Sequence, residues 1–377
     1  MGVLKKERAL LNHFIDKSYC MGLKVGEYKF IWGLRHLWKK VILPNRQVNL
    51  IQRNFKKYYG KTYSTKWHRL YQSYTGKFDK NYFPEILFST KLEPLLNPRS
   101  ISSAMEDKNL LEPLYKSVRG LRIPKTLIGN SYGTFYFNTG SKRKIINDKE
   151  ACSLISNTDY VVIKPTIGTH SGNGIMICKF VNGIDEFTKK SCKDILELYK
   201  ANFIVQEHII NCKELKALYG EALNTIRVIT YILDNKLYYL PLALRLGCDG
   251  NKVDNIAAGG LFIGISADGY LKPYALAEKG TKYSHHPNSK IAFNQYFIPN
   301  IPKVLEMAYL CHLNTPQVKM VSWDFTIDEN LNVVLIETNM IGQSLGFPQM
   351  ANGESAFGGN TGKMLELIRK KSKGRKK

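Results

Sequence analysis

The sequence predicts an α+β protein: basic and mainly helical at its N-terminal end, then built on strands that converge on one polar site. Three observations carry this. Residues 1–98 repeat apolar side chains at helical spacing, as in Leu10, Leu11, Phe14, Ile15 and again Phe30, Ile31, Leu34, Leu37, Trp38. Residues 159–179 read as an apolar strand, a glycine-studded loop and a second apolar strand. Residues 321–339 read as two strands joined by a polar turn at Asp328-Glu329-Asn330.

Length and charge set the frame. The 377 residues are enough for two or three packed units. No run of about 18 apolar residues is present, so no membrane-spanning helix is expected. The first residues, M-G-V-L-K-K-E-R, lack the apolar stretch of a secretory signal. Seven scattered cysteines without a C-x-x-C pair fit reduced thiols better than a disulfide framework or a zinc site, and point to a cytoplasmic protein. The net charge of +24 implies a polyanionic partner: nucleic acid, an anionic membrane face or an acidic substrate.

Residues 1–80 hold 18 Lys+Arg against 4 Asp+Glu, a net of +14, which is more than half of the excess. Lysines and arginines interleave with aromatics there, as in W-G-L-R-H-L-W-K-K. Such helices either carry a solvated basic face or lie on an anionic surface. Pro94 and Pro98 mark a boundary, because helices tend to end before proline. The expected division is 1–98, 99–205, 206–362 and a basic, disordered tail at 363–377.

The strand ending at Lys164-Pro165 leads into a loop in which Gly168, Gly172 and Gly174 free the backbone to approach a ligand. Successive N–H groups in such a loop, Ser171 among them, can cradle an anion. The flanks are strand and strand, so neither a P-loop nor a dinucleotide fingerprint fits. The loop at 166–173 reads as a hairpin lid over phosphates, with Lys164 beneath it. Further on, N-F-I-V-Q-E-H-I-I is a buried strand ending in Gln206, Glu207, His208 and Ile209, where backbone groups can meet an adenine edge. Glu214, seven residues after Glu207, could accept ribose hydroxyls. Arg227 and Arg245 lie on the next two strands, where a guanidinium can make two contacts to a phosphate.

In the final hairpin, alternation puts Glu337 and Asn339 on the face of Val333 and Leu335. Pairing through the turn brings Asp324 opposite residues 335–337. Two carboxylates and an amide oxygen suit Mg²⁺, which usually keeps phosphate oxygens and water in its shell.

In this order, the pieces resemble the ATP-grasp superfamily, and most closely its sugar-transfer-associated branch. D-K-N at 107–109 resembles the first phosphate-lysine segment, with Lys108, and V-I-K-P with its glycine loop the second, with Lys164. V-Q-E-H-I resembles the adenine hinge, and W-D-F with L-I-E-T-N the metal strands. L-N-T-I-R-V, A-L-R-L-G and D-N-I-A-A-G-G are similar to this branch in particular, over roughly residues 80–362. Residues 1–98 depart from many members in showing no βαβ pattern.

The resemblance implies two α+β subdomains gripping ATP, with Lys108, Lys164, Gly168, Ser171, Gly172, Gly174, residues 206–209 and Glu214 on the nucleotide, and Asp324, Glu337 and Asn339 on Mg²⁺. It implies a carboxylate–amine ligase using Lys164, Arg227 and Arg245, and points to an acidic sugar or sugar-linked precursor and an amine in bacterial surface-polysaccharide synthesis. Residues 259–260 and 341–349 are the expected walls of the acceptor pocket. A phosphotransferase, or a nucleotide-binding protein docked at the inner membrane face, would share the same phosphate site. Nucleic acid fits the charge but none of these motifs.

Overall fold

The computed structural model describes residues 2–138, 143–168 and 172–374. Its strands, in chain order, are β1 (Leu121–Arg122), β2 (Thr126–Ser131), β3 (Thr134–Asn138), β4 (Arg143–Ile146), β5 (Val161–Pro165), β6 (Met176–Cys178), β7 (Phe180–Val181) and β8 (Ile184–Asp185). They continue as β9 (Phe203–Glu207), β10 (Thr225–Leu233), β11 (Lys236–Tyr239), β12 (Leu242–Leu246) and β13 (Leu261–Ile265). The last are β14 (Leu271–Leu276), β15 (Lys282–Tyr283), β16 (Met320–Ile327) and β17 (Val333–Asn339).

The smaller sheet has the order β4-β3-β2-β9-β5-β6. Helices Asp148–Ser156 and Cys192–Tyr199 cover it through Ala151, Ile155, Ile195 and Leu196, which pack on Ile128, Val161, Ile163 and Phe203. Both helices open with a capping box, at Asn147 and Ser191, which satisfies backbone N–H groups that would otherwise be unpaired. The larger sheet has the order β1-β17-β16-β10-β12-β13-β14-β15, with β11 added beside β10. Trp323, Phe325, Ile226, Val228 and Leu335 bury one of its faces under helix Ile301–Leu313.

The N-terminal region is helical, as expected, but it is no separate lobe. Ile51 and Phe55 of helix Asn45–Tyr58, with Phe83, Leu87 and Phe88, share one core with Ile229, Tyr231 and Met320 of the larger sheet. The long helix Gly2–Gly33 and helix Lys66–Thr75 pack through Ile31, Leu34, Trp67 and Leu70 against Phe262 and Leu276 at the other end of that sheet.

Several boundaries differ from the sequence expectation. Asn97, between the two prolines, is buried and ties the region down: its side-chain amide donates to the carbonyls of Met320 and Met340 and accepts from the backbone of Lys319 and Met320. The proline pair is therefore a pinned corner. Leu111, Tyr115 and Val118 belong to the core of the larger sheet, and β9 crosses the expected boundary at 205/206. The basic tail is also not free chain over its described residues, 363–374. Helix Thr361–Gly374 runs into it because Met364, Leu365 and Ile368 make an apolar stripe that docks in the same core as Ile51 and Phe55.

Candidate active site between the two sheets

The chemistry sits on one row across three strands. Arg227 of β10 pairs with Asp324 of β16, and Asp324 pairs with Glu337 of β17. Residues paired in this way share a sheet face, so the three side chains meet. The register slips at this point: Phe325 pairs with Leu335 and Asp324 with Glu337, leaving Ile336 as the extra residue. This bulge overturns the expected alternation. Glu337 faces away from Val333 and Leu335, which stay in the core, and joins Asp324 on the polar face.

Both oxygens of Asp324 are engaged. Oδ1 accepts from Arg227 Nε, while Oδ2 accepts from Arg227 NH2 at 2.9 Å and Arg245 NH1 at 3.1 Å. Burial works against the Asp324 carboxylate, yet the two guanidiniums outweigh it and hold its pKa below the usual range. Arg245 also donates to Asp254 at 2.9 Å, and Thr225 donates its hydroxyl to the same carboxylate. Asp254 was not singled out from the sequence, where it is one acidic residue in a loop. Its counter-charge to Arg245 is evident only once β12 and that loop are folded together.

The two lysines arrive from the other side. Lys108 follows Asp107, whose carboxylate accepts from the backbone N–H of Asn109, and its own N–H donates to the Thr166 carbonyl at 3.1 Å. Its Nζ lies 3.0 Å from Glu337 Oε1. Lys164 on β5 is buried, and its Nζ donates to the Ile336 carbonyl at 3.5 Å. Burial pushes the Lys164 pKa down to about 8, with Glu337 opposing and Lys108 reinforcing the shift. Lys108, Lys164, Arg227, Arg245, Asp324, Glu337 and Asn339, with Gly172 and Asn173, close around a cavity of about 70 Å³. Gly174 must be glycine: its φ is +76°, and a Cβ there would lie 2.9 Å from Pro165 Cγ. Gly168 also has positive φ, whereas Ser171 lies outside the described residues.

A second cavity of about 120 Å³ adjoins this one and shares Lys164, Gly172, Arg245, Asp324 and Glu337 with it. Val162, Ile177, Ile209, Leu223 and Ile336 make its apolar walls, and Gln206, Glu207 and His208 its polar edge. The edge is fixed from behind. Gln206 donates to the Pro124 carbonyl at 3.3 Å, and Glu207 meets Arg122 at 2.8 Å, which in turn meets Asp328 of the hairpin turn at 2.8 Å. Glu214 is not among the residues lining this cavity.

A third cavity, about 460 Å³, adjoins the phosphate-sized one and shares Arg227, Arg245, Asn255 and Asn339 with it. Residues 341–344 and 346–348 form one of its walls, whereas Gly259 and Gly260 do not. Asn255, Ile256 and Ala257 take that place, because Gly260 is packed against three backbone carbonyls. The sequence reading missed the opposite wall, which comes from Glu27, Phe30, Trp67 and Glu85 of the N-terminal region. It also missed how the 340–345 segment is held. Glu106 accepts from the N–H groups of Met340 and Ile341, Glu93 from Gly342 and Gln343, and Glu85 from Leu345, at 2.8–3.1 Å. Burial pushes Glu93 up to about 8 and Glu85 well above the usual carboxylate range, against these donors.

Two sheets facing each other across a slot that ends in lysines, arginines and acidic side chains define a grasping fold. The particular family follows from comparison. The profile of the sugar-transfer associated ATP-grasp family matches residues 87–363, and the chain belongs to that family. ATP is thus the nucleotide of this fold. No curated protein matches the chain in sequence. Among solved structures it is similar to the VanG D-Ala:D-Ser ligase of Enterococcus faecalis, at 15% identity and a TM-score of 0.42 over 74% of this chain and 62% of that one. It is also similar to the D-alanyl-alanine synthetase A of Vibrio cholerae (12%, 0.38, 72% and 65%). The N5-carboxyaminoimidazole synthetase of Staphylococcus aureus with ADP is a further likeness (10%, 0.36, 63% and 45%). The chain thus spans about half to two thirds of each of these proteins.

Proposed function

We propose that this protein is an ATP-dependent carboxylate–amine ligase acting through an acyl phosphate. Its substrates would be an amino acid or other amine and an acidic sugar or sugar-linked precursor of bacterial surface polysaccharide. The observation that carries the reading is the contiguity of the cavities: the phosphate-sized one shares lining residues with both the apolar slot and the 460 Å³ cavity. That contiguity suits transfer of a phosphoryl group from a nucleotide to a second molecule.

In this reading adenine enters the slot against residues 206–209. The phosphates reach Lys108 and Lys164, with Gly168, Gly172 and Gly174 keeping the backbone close to them. The acceptor carboxylate enters from the larger cavity past Asn339. One of its oxygens attacks the γ-phosphorus, and the bond to the ADP oxygen breaks. The amine nitrogen then attacks the acyl carbon, phosphate leaves with the electrons of the C–O bond, and the ammonium proton passes to solvent. Arg227 and Arg245, oriented by Asp324, meet negative charge as it develops on the transferred group.

The residues also fit a magnesium ion. Glu337 and Asn339 bring hard oxygens to the phosphate-sized cavity, and Asp324 Oδ1 accepts a single hydrogen bond, which leaves it a lone pair. When bound, Mg²⁺ would neutralise phosphate charge and hold the γ-phosphoryl group in line. Glu214, which lies outside the slot's lining, has no part in this proposal.

The reading is tested by ADP release measured over a panel of amino acids and uronic-acid sugars. ADP release that requires both a carboxylate and an amine supports the ligase. ADP release with a hydroxyl acceptor alone supports a phosphotransferase.

We place the protein in the cytoplasm, against the inner membrane face. Met21, Val25, Tyr28 and Trp32 recur at helical spacing on the long first helix and are all exposed. Lys17, Lys24 and Arg35 flank them. An apolar stripe bordered by cations suits an anionic bilayer, where each cation contributes about 1 kcal/mol near the surface. No described helix is long and apolar enough to cross a membrane. Vesicle co-sedimentation should rise with the fraction of anionic lipid and fall with salt. Equal binding to neutral vesicles, or binding to nucleic acid alone, would contradict this placement.

A further inference from the structure

The 460 Å³ cavity is lined by carboxyl groups although the chain is strongly basic. The chain has a net charge of +24, yet among the described residues no lysine lines this cavity, and its two arginines already face Asp324. Arg227, Arg245 and Asn339 mark the end next to the phosphate site, since they line both cavities. Away from that end stand Glu27 and Glu278; Glu85 is there too, but it accepts from the Leu345 N–H and burial pushes its pKa well above the usual range. Among the described residues none of these three has a lysine, arginine or histidine within ion-pair distance.

An independent observation points the same way. Gln343 lines the cavity and is 4% exposed; its side-chain nitrogen donates to the Met340 carbonyl, but its Oε1 is buried without a partner. Leaving such an acceptor dry and unpaired costs free energy unless a donor arrives. The remaining wall is aromatic. Phe30 stacks on Trp67 with ring centroids 6.3 Å apart, and Phe262 meets Phe347 edge to face at 4.9 Å. Carboxylates, an unpaired acceptor and aromatic faces together form a site for a cation that donates hydrogen bonds. Burial pushes the Glu27 pKa up to about 7, as it must for a carboxylate that lacks its counter-ion.

We propose that this end of the cavity binds a primary organic ammonium, held by Glu27, Glu278 and the Gln343 carbonyl oxygen against Phe30 and Trp67. Its role as the nucleophile rests on the ligase reading; its binding does not. A volume of about 460 Å³ suits a single amino sugar or amino acid next to the acceptor carboxylate. The excess positive charge of the chain thus belongs to its outer surface and not to the pocket. Glu27, Phe30 and Trp67 precede residue 87, where the family match begins, while Glu278 and Gln343 lie within it, so the site joins the N-terminal helices to the matched region.

The test is ligand-observed NMR titration of the full chain with a non-hydrolysable ATP analogue and Mg²⁺. The probes are D-glucosamine and L-alaninamide, each against an uncharged counterpart, D-glucose and propionamide. At least one cationic probe should bind, and its counterpart roughly tenfold more weakly or not at all. Glu27→Gln should weaken the cation by a similar factor while leaving affinity for the ATP analogue unchanged. Glu278→Gln, at an exposed position, supplies the same readout should Glu27→Gln disturb folding. Equal binding of charged and uncharged probes, binding of neither, or cation binding indifferent to both variants would overturn the proposal. Ammonium binding without amine-dependent ADP release would sink the ligase reading and leave this one standing. Amine-dependent ADP release untouched by both substitutions would do the reverse.

Discussion

The narrow slot and the wide cavity meet at Arg245 and Asn255, and they differ in almost every other respect. The slot is built from residues within the family match, with apolar walls and two lysines at its end. The cavity takes one wall from helices that precede the match and is acidic. In the proposed reading, phosphoryl chemistry falls to residues within the family match, and choice of substrate is shared with helices that precede it. This division also explains why the N-terminal region is packed into the core of the larger sheet: a wall that selects a ligand must be fixed relative to the reacting atoms.

The sharpest way to break this division is at the row from Arg227 to Glu337. Glu337→Gln keeps the shape but removes one charge from the proposed metal site. Turnover should fall by roughly two to three orders of magnitude, the scale on which single preorganised charges act. The melting temperature should stay within a few degrees, because Glu337 lies on a cavity rim and not in the core. Near-normal turnover at saturating Mg²⁺ would remove Glu337 from the site.

A smaller effect separates the two regions by pH. Lys164 has its folded pKa lowered to about 8 by burial, so the empty protein loses that charge as pH rises through 8. Phosphates favour the charged form, so ATP binding should take up a proton above pH 8. ATP affinity should therefore drop about tenfold between pH 7 and pH 9, one unit of pH above the folded pKa. Lys164→Arg should flatten that dependence, since a guanidinium stays charged. For stability the sign is opposite: the penalty of burying the charge is complete below about pH 8 and is relieved as pH rises toward the unfolded value. Calorimetric titration at the two pH values decides the matter. A pH-independent affinity in the unaltered protein would mean that Lys164 does not reach the nucleotide.

Much of the slot was legible in the sequence, because its residues lie on strands with clear alternation and its glycines cluster. The approach of Asp324 to Glu337 followed from counting back from the turn. The face of Glu337 did not, because one extra residue, Ile336, inverts the parity, and a bulge leaves no mark in a run of apolar residues. The acidic wall was less legible for another reason. Glu27 lies three residues before Phe30 and seven before Leu34, on the inward stripe of a helix in which basic residues outnumber acidic ones. That misplaced charge was a signal. What it faced depended on packing between segments more than two hundred residues apart, as with Glu85 and Leu345. Helix Thr361–Gly374 was hidden differently: its lysines suggested free tail, while three apolar residues were enough to dock it.

The account rests on a carboxylate being phosphorylated at the junction of the two cavities, and trapping with hydroxylamine tests that most directly. Protein, ATP and Mg²⁺ are incubated with candidate acidic sugars, and hydroxylamine replaces the amine. An acyl phosphate is intercepted as a hydroxamate, so hydroxamate and ADP should appear in equal amounts, and neither should form with Glu337→Gln. A stable phosphorylated alcohol in place of hydroxamate would contradict the account.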